Sequence, residues 1–133
     1  MISDPIADFL FRIKNAYLVD KEIVNIPHSK IKENLAEVLV NKGFIEKIKV
    51  ELLSKNKKIK TIKVTLKYKD KKPVLTHIKR ISKPGARIYV KKDKIPRVLS
   101  GLGTVILSTP KGFMTGKEAR KRELGGEMIC EIW

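Results

Sequence analysis

The chain has 133 residues, and 42% of them are hydrophobic, which is enough for a folded core and too many for a disordered chain. The formal net charge of +16 favours a polyanionic partner, nucleic acid before an anionic membrane; an ordinary solvated surface is the alternative. No apolar run reaches the roughly 20 residues of a membrane span, and residues 1–5 do not resemble a signal peptide. The single cysteine, Cys130, excludes an intramolecular disulfide and fits a reducing cytosol.

The first part of the chain has the pattern of a small α+β domain. Ser3 or Asp4 can cap a first helix that starts with Pro5. The apolar stripe of this helix comprises Ile6, Phe9, Leu10, Ile13 and Tyr17. A strand over residues 22–26 precedes a second helix, which we expect Ser29 to cap and Gly43 to end. The predicted buried face of the second helix comprises Ile31, Leu35, Val38 and Leu39.

Two further strands form a predicted hairpin, joined by a basic turn over residues 54–58. The charged segment at residues 69–73 is typical of a linker, so we expect two domains, 1–72 and 73–133. Each of them has a net charge of +8, so we expect a polyanion to contact both. The predicted order of the first domain is helix, strand, helix, strand, strand, with the helices on one face of the sheet.

The second domain is predicted to be mostly antiparallel β with short helices. A strand over residues 78–81 leads to a turn in which Gly85 supplies a positive φ, and a returning strand over residues 87–90 completes a hairpin. We then expect a short helix from Asp93 to Gly101 and a strand over residues 103–107. Thr115 and Glu118 have capping-box spacing, which predicts a short basic helix before the closing strand. The fold class is therefore α/β, of the α+β type.

Signatures of an enzyme are weak. His28 and His77 lie far apart, and neither has a metal-ligand spacing to Cys130. Cys130 alternates within an apolar strand, as a small core residue does. The Gly101-Leu102-Gly103 segment lacks the remaining residues of a dinucleotide or phosphate-binding motif. We therefore predict no enzyme, no cofactor and no metal.

The polar turn after residues 105–107 has the chemistry of RNA binding. The hydroxyls of Ser108 and Thr109 can bond phosphate, ribose or a base edge. Lys111 adds charge attraction, and Gly112 lets the backbone approach a ligand closely. This turn is the strongest candidate site in the sequence.

Four other residues fit an RNA contact and also fit ordinary roles. Tyr89 could stack on a base or pack as a core or interface ring. Glu127 would accept from a base amino group and repel a misplaced phosphate, or belong to plain surface. Arg12 and Asn15 fall away from the apolar stripe of the first helix and suit phosphate or sugar as well as solvent.

Three motifs in order resemble the bacterial-type small-subunit ribosomal protein number eight. They are residues 3–8 with 12–16, residues 80–85 with 87–90, and residues 106–112 with Thr115, 118–120 and 125–127. The resemblance implies a two-domain α/β protein of the cytoplasmic ribosome that binds the central domain of small-subunit rRNA, beside neighbours such as protein five. Some members also bind their own mRNA and repress its translation.

The resemblance also implies which residues contact RNA. The principal contact would come from the second domain, through Ser108, Thr109, Lys111, Tyr89 and Glu127. The first domain would add contacts through Asp4, Arg12, Asn15 and Lys30.

Two positions depart from the family pattern. Pro110 stands where the family turn usually has serine, so a hydroxyl and a backbone N–H are absent, and Thr109 is restricted to extended conformations. Gly116 replaces a more usual acidic residue and should weaken the short helix.

The alternative function is a general basic RNA chaperone without a specific site.

Overall fold

The computed structural model describes residues 4–52, 59–97 and 103–133, so the expectations for Ser3, for the turn at 54–58 and for residues 98–101 lie outside it. Its helices and antiparallel sheets confirm the mixed α+β class. The chain forms two compact units: Pro5–Leu75, and Thr76–Trp133 together with Asp4. This division falls between Leu75 and Thr76, whereas the sequence suggested a boundary after residue 72.

The first unit begins with the five elements in the predicted order, and a further pair of short strands follows them. The elements are α1 (Pro5–Leu18), β1 (Ile23–Pro27), α2 (Lys30–Asn41), β2 (Lys47–Leu52), β3 (Lys60–Thr65), β4 (Tyr68–Lys69) and β5 (Lys72–Pro73). The first three strands form an antiparallel sheet in the order β1-β3-β2. The segment predicted as a linker is instead a tight β4–β5 hairpin, with Asp70 and Lys71 at φ 53° and 64°, as in a type I′ turn.

The core of this unit lies between the helices and one face of the sheet. Its fully buried side chains include Phe9, Ile13, Ile26, Leu35, Leu39, Ile62 and Val64. The hydroxyl of Tyr17 donates to the carbonyl of Phe44 at 2.6 Å and accepts from the backbone N–H of Lys67 at 3.1 Å. These bonds satisfy the polar end of a ring that is otherwise buried.

The ends of α2 confirm the capping predictions, but its buried face is different from the predicted one. The Ser29 hydroxyl accepts from the N–H of Lys32 at 3.2 Å, and Gly43 ends the helix at φ 77°. Ile31 is 46% exposed, so its predicted burial was wrong. Lys32 is buried instead. Successive residues of a helix are rotated by 100°, so the buried face is centred near Leu35 and Leu39, and Ile31 lies at its edge.

The second unit is organised around its last strand. Its elements are β6 (Ile78–Arg80), β7 (Tyr89–Val90), β8 (Thr104–Thr109), β9 (Gly112–Thr115), α3 (Gly116–Lys121) and β10 (Gly126–Ile132). The sheet order is β6-β10-β8-β9, and β7 also pairs with β10. Leu107, Met114 and Val105 are buried in a cluster with Ile95 and Ala119.

The predicted turn at residues 83–85 is present, since Lys83 and Ala86 exchange two backbone hydrogen bonds, but the predicted pairing of residues 78–81 with 87–90 was wrong. Both β6 and β7 pair with β10 instead of with each other. Between them the buried Ser82 hydroxyl accepts from the N–H of Ile88 at 2.8 Å and donates to its carbonyl at 3.2 Å, in place of a strand ladder. Gly85 does not adopt a positive φ, so that expectation was also wrong.

The helix predicted to begin at Asp93 is absent from residues 93–97, which form a turn followed by irregular chain. Pro96 explains this difference, because it lacks an N–H and disfavours helical backbone at the preceding residue, Ile95. Ile95 is nonetheless buried, as part of the core described above.

The short helix α3 begins as predicted, since the Thr115 hydroxyl accepts from the N–H of Glu118 at 3.2 Å. Gly116 has a packing role that the sequence analysis missed. A Cβ atom at this position would lie 2.5 Å from Cγ1 of Val105 and 3.0 Å from Cγ2 of Ile95. The missing side chain therefore lets α3 lie close against β8.

Candidate nucleic-acid interface

Three predicted site residues lie side by side across the sheet of the second unit. Glu127 on β10 is opposite Tyr89 on β7 and also opposite Ser108 on β8. Phe113 on β9 is in turn opposite Ser108. Residues directly opposite in neighbouring strands project from the same face. The sheet therefore presents Tyr89, Glu127, Ser108 and Phe113 in one row, which we call the polar row.

The side chains of this row are accessible to different degrees. Tyr89 is 66% exposed, so its ring is not a core residue of the unit. Ser108 is half-buried, and among the described residues its hydroxyl forms no side-chain hydrogen bond. A hydroxyl in that position can both donate to and accept from a ligand.

Arg87 holds Glu127 in place, which sequence reasoning missed. The guanidinium NH1 of Arg87 donates to the two carboxylate oxygens of Glu127 at 3.1 and 3.3 Å. The Glu127 side chain is only 12% exposed, whereas that of Arg87 is 54% exposed. Arg87 therefore fixes the carboxylate and places a cation beside the polar row. Its position two residues before Tyr89 was visible in the sequence, but its pairing with β10 was not.

Thr109 and Gly112 build the turn that joins β8 to β9. The Thr109 hydroxyl donates to the carbonyl of Gly112 at 2.8 Å and accepts from the N–H of Lys111 at 3.1 Å. Gly112 has φ 108°, which only glycine adopts readily. Thr109 is almost fully buried, so its hydroxyl shapes the turn, and its RNA contact stays a prediction. Lys111 lies exposed at the tip.

Pro110 suits this turn. Thr109 lies at the end of β8 in extended conformation, as a residue before proline prefers. Pro110 is the first residue of the two-residue connection between Thr109 and Gly112, where the fixed φ of proline is favourable. Pro110 therefore rigidifies the turn.

Gly125 and Gly126 bring β10 close to its neighbours. A Cβ atom on Gly126 would lie 2.2 Å from the carbonyl oxygen of Ser108. One on Gly125 would lie 2.5 Å from the carbonyl oxygen of Val90. The polar row thus depends on two residues without side chains.

Asp4 is largely buried and pairs with Arg80, unlike the exposed residues predicted to contact RNA from the first helix. Its carboxylate lies 3.4 Å from the NH2 group of Arg80, and both side chains are largely buried. NH1 of Arg80 donates to the carbonyl of Ile129, where β10 has a bulge. The described contacts of Asp4 are thus internal to its unit, and its RNA contact stays a prediction.

The first unit places Arg12 and Asn15 together on the solvent side of α1, and Lys30 at the start of α2. Nε of Arg12 donates to Asp8, and Lys32 Nζ donates to the same carboxylate at 3.0 Å. Partial burial acts to raise the pKa of Asp8, but the hydrogen bonds from Lys32 and Arg12 outweigh it and lower the pKa below 3.8. Lys30 is exposed and pairs with Glu33 at 3.2 Å. The hydrogen bonds that Glu33 accepts from Lys30 and shares with His28 lower the pKa of Glu33.

The described residues offer little for catalysis. Within residues 4–52, 59–97 and 103–133, no three His, Cys, Asp or Glu side chains group as a metal site would require. Cys130 is a buried core residue, as predicted, and its burial raises the pKa of the thiol to about 12. In that same part of the chain, no helix has the length and apolarity to cross a bilayer.

A strongly basic α+β protein with a partly exposed polar row beside a lysine-tipped turn has the character of a nucleic-acid-binding protein. Comparison with known proteins gives its family. Residues 4–133 match the sequence model described as Ribosomal protein S8. The chain belongs to this family, which confirms the resemblance noted in its three motifs.

Individual relatives match over the whole chain. It is similar to small ribosomal subunit protein uS8 of Syntrophomonas wolfei, with 53% identity over 100% of this chain and 99% of that protein. The uS8 proteins of Dictyoglomus turgidum and Clostridium novyi are 52% and 47% identical, over 99% and 100% of this chain and 98% and 99% of their own lengths. Family membership gives the chain a structural, non-enzymatic role in the small subunit of the cytoplasmic ribosome, in association with its rRNA and other proteins.

Proposed function

We propose that the protein binds the central domain of small-subunit rRNA directly and helps that domain to assemble. The polar row and Lys111 would form the principal contact. The observation that supports this most is that Tyr89, Glu127 and Ser108 come from three separate strands and lie directly beside one another. Together they offer a ring to stack on a base, an acceptor for a base amino group and a hydroxyl for ribose or a base edge.

The charge of the protein and its directional contacts, which are hydrogen bonds and stacking, have separate roles in this proposal. The excess of lysine and arginine supplies affinity that does not depend on sequence and falls as salt rises. The polar row supplies preference for one RNA shape, since hydrogen bonds and stacking have fixed geometry. Arg12, Asn15 and Lys30 are accessible and would add contacts from the first unit.

The test compares two RNAs with the purified full chain. We expect it to bind an isolated central-domain rRNA helix at least roughly a hundredfold more tightly than a scrambled helix of equal length, or ~2.7 kcal/mol. The preference should persist at the higher of two salt concentrations. Equal binding to both helices, lost together as salt rises, would contradict the proposal and indicate a general basic RNA chaperone.

We also propose that the same surface binds a similar helix in the protein's own mRNA and that protein five is a neighbour in the subunit. Family resemblance supports both. If one surface serves both RNAs, an excess of the unlabelled mRNA helix should displace the labelled rRNA helix completely. Simultaneous binding of both would contradict the shared surface.

A further inference from the structure

An open groove runs along the solvent side of α1, next to the edge strand β1. It has a volume of about 410 Å³, within the roughly 300–1,000 Å³ range of ligand sites. Its lining includes Phe11, Arg12, Asn15, Val19, Lys21 and Val24. The groove lies wholly within the first unit and is formed by different residues from the polar row.

Phe11 is the most unusual residue of this groove. Its side chain is 62% exposed, although Phe9 and Ile13 on the same helix are fully buried. Phe11 therefore contributes little to the core. A large exposed ring in a concave surface points to a ligand with an apolar face.

The surroundings of Phe11 indicate the chemistry of that ligand. Arg12 and Lys21 place two cations on the groove, and the exposed Asn15 amide can both donate and accept. Among the described lining residues the one carboxylate is that of Asp8, and it is paired with Arg12 and Lys32. An aromatic platform with cations and an amide beside it is the combination that binds unpaired nucleotides.

We propose that this groove holds an unpaired base of the rRNA, stacked on Phe11, with Arg12 and Lys21 contacting the flanking phosphates and Asn15 the base edge. The inference rests on the proposed function and specifies its contact at the first unit, as an unpaired nucleotide stacked on Phe11. A protein segment would also fit the apolar part of the groove, but the two cations and the amide favour a nucleotide.

The first experiment measures affinity for a central-domain rRNA transcript at two salt concentrations. Phe11→Leu keeps an apolar side chain but removes the aromatic face, and we expect binding to weaken roughly five- to hundredfold with an unchanged salt slope. Phe11→Trp keeps the stacking platform and should bind as the wild type does. Leu18→Ala is the matched control, since Leu18 is 70% exposed on the same helix and outside the groove lining.

The second experiment locates the contact. Ultraviolet crosslinking of the wild-type complex, followed by peptide mass spectrometry, should give a nucleotide adduct on Phe11. Wild-type preference for the cognate RNA combined with undiminished binding by Phe11→Leu would overturn the stacking site and leave the proposed function standing. Absence of any wild-type preference for the cognate RNA over a scrambled transcript would overturn both.

Discussion

Ser108 and Thr109 are adjacent hydroxyl residues with different surroundings. Thr109 uses its hydroxyl within the turn, where it bonds both Gly112 and Lys111. Ser108, one residue earlier on β8, lies in the polar row, and its hydroxyl bonds none of the described residues, so it is available to a ligand. Two residues that look equivalent in the sequence are therefore expected to have different roles. Thr109 shapes the turn, and Ser108 contacts RNA.

This difference predicts the behaviour of Ser108→Ala. Removing a hydroxyl that bonds RNA should cost roughly 1 kcal/mol or more in binding the cognate helix, with little change in the free energy of unfolding. The salt slope should stay the same because no charge is removed. By contrast, Lys111→Ala should reduce the slope by about one if its ammonium contacts a phosphate. Filter binding across a salt series measures both quantities.

The two variants serve as controls for each other. Wild-type affinity in Ser108→Ala would count against a hydrogen bond from this residue to RNA. An unchanged slope in Lys111→Ala would mean that the lysine contacts no phosphate.

Asp8 predicts a pH-dependent contribution to stability. Its carboxylate pairs with Lys32, whose side chain is only 10% exposed and which also donates to the carbonyl of Pro27. Asp8→Asn leaves that ammonium without its counter-charge and should lower the free energy of unfolding by about 1–3 kcal/mol at pH 7. Asp8 itself is 40% exposed, so solvent screening keeps the cost below that of a fully buried pair.

The sign of the pH effect follows from the lowered pKa of Asp8. A carboxylate with a lowered pKa stabilises the fold above its ordinary pKa of 3.8, and that stabilisation is lost as pH falls through the lowered value. Urea unfolding at several pH values should therefore show the wild type and Asp8→Asn converging in acid. Asp93→Asn, in an exposed turn, is the control; a difference that persisted unchanged in acid would rule out the charge as its cause.

At the scale of elements, the helix caps at Ser29 and Thr115 were easier to predict than strand partners. The caps at Ser29 and Thr115 are local signals, because each hydroxyl bonds an N–H three residues ahead. The pairing of β6 and β7 with β10 joins residues about forty or more positions apart, and neighbouring strands that are separated by a turn suggest a hairpin instead. The bonds of Ser82 that replace this hairpin have no signature in the sequence.

The close approach of β10 to β8 predicts the effect of Gly126→Ala. The new Cβ would meet the backbone carbonyl of Ser108, which can move only with the strand. We expect a loss of about 1–3 kcal/mol in the free energy of unfolding, the range for overpacking. RNA affinity should fall as well, measured where the variant is still folded, because Ser108 is displaced.

Gly85→Ala is the matched control for this variant. A Cβ at Gly85 would meet no atom within 4 Å, and its φ is not positive. It should unfold at the same denaturant concentration as the wild type. Equal stability of Gly126→Ala and Gly85→Ala would show that β10 can relax away from β8 at no cost.

At the scale of the whole molecule, the sequence was sufficient for the fold class and the family, and insufficient for the arrangement of the site. Tyr89, Ser108 and Glu127 were each predicted separately, but their common row depends on strand register, which one-dimensional spacing does not specify. Arg87 and Phe11 were missed for a related reason. Whether a side chain is paired or left in solvent depends on neighbours that are distant in the chain.

Cys130 gives the molecule a chemical reporter of its own opening. The thiol is buried on β10 between β6 and β8. With a pKa of about 12 it is protonated at neutral pH. A thiol-specific reagent can therefore modify it only after these strands separate. The labelling rate in the native state therefore follows the population of opened molecules. RNA that binds only the folded chain reduces this population by a factor of 1 + [RNA]/Kd. At an RNA concentration of about 100 times Kd, labelling should slow roughly a hundredfold. A labelling rate that did not change on addition of RNA would show that Cys130 reacts without this opening or that the RNA does not bind the folded chain.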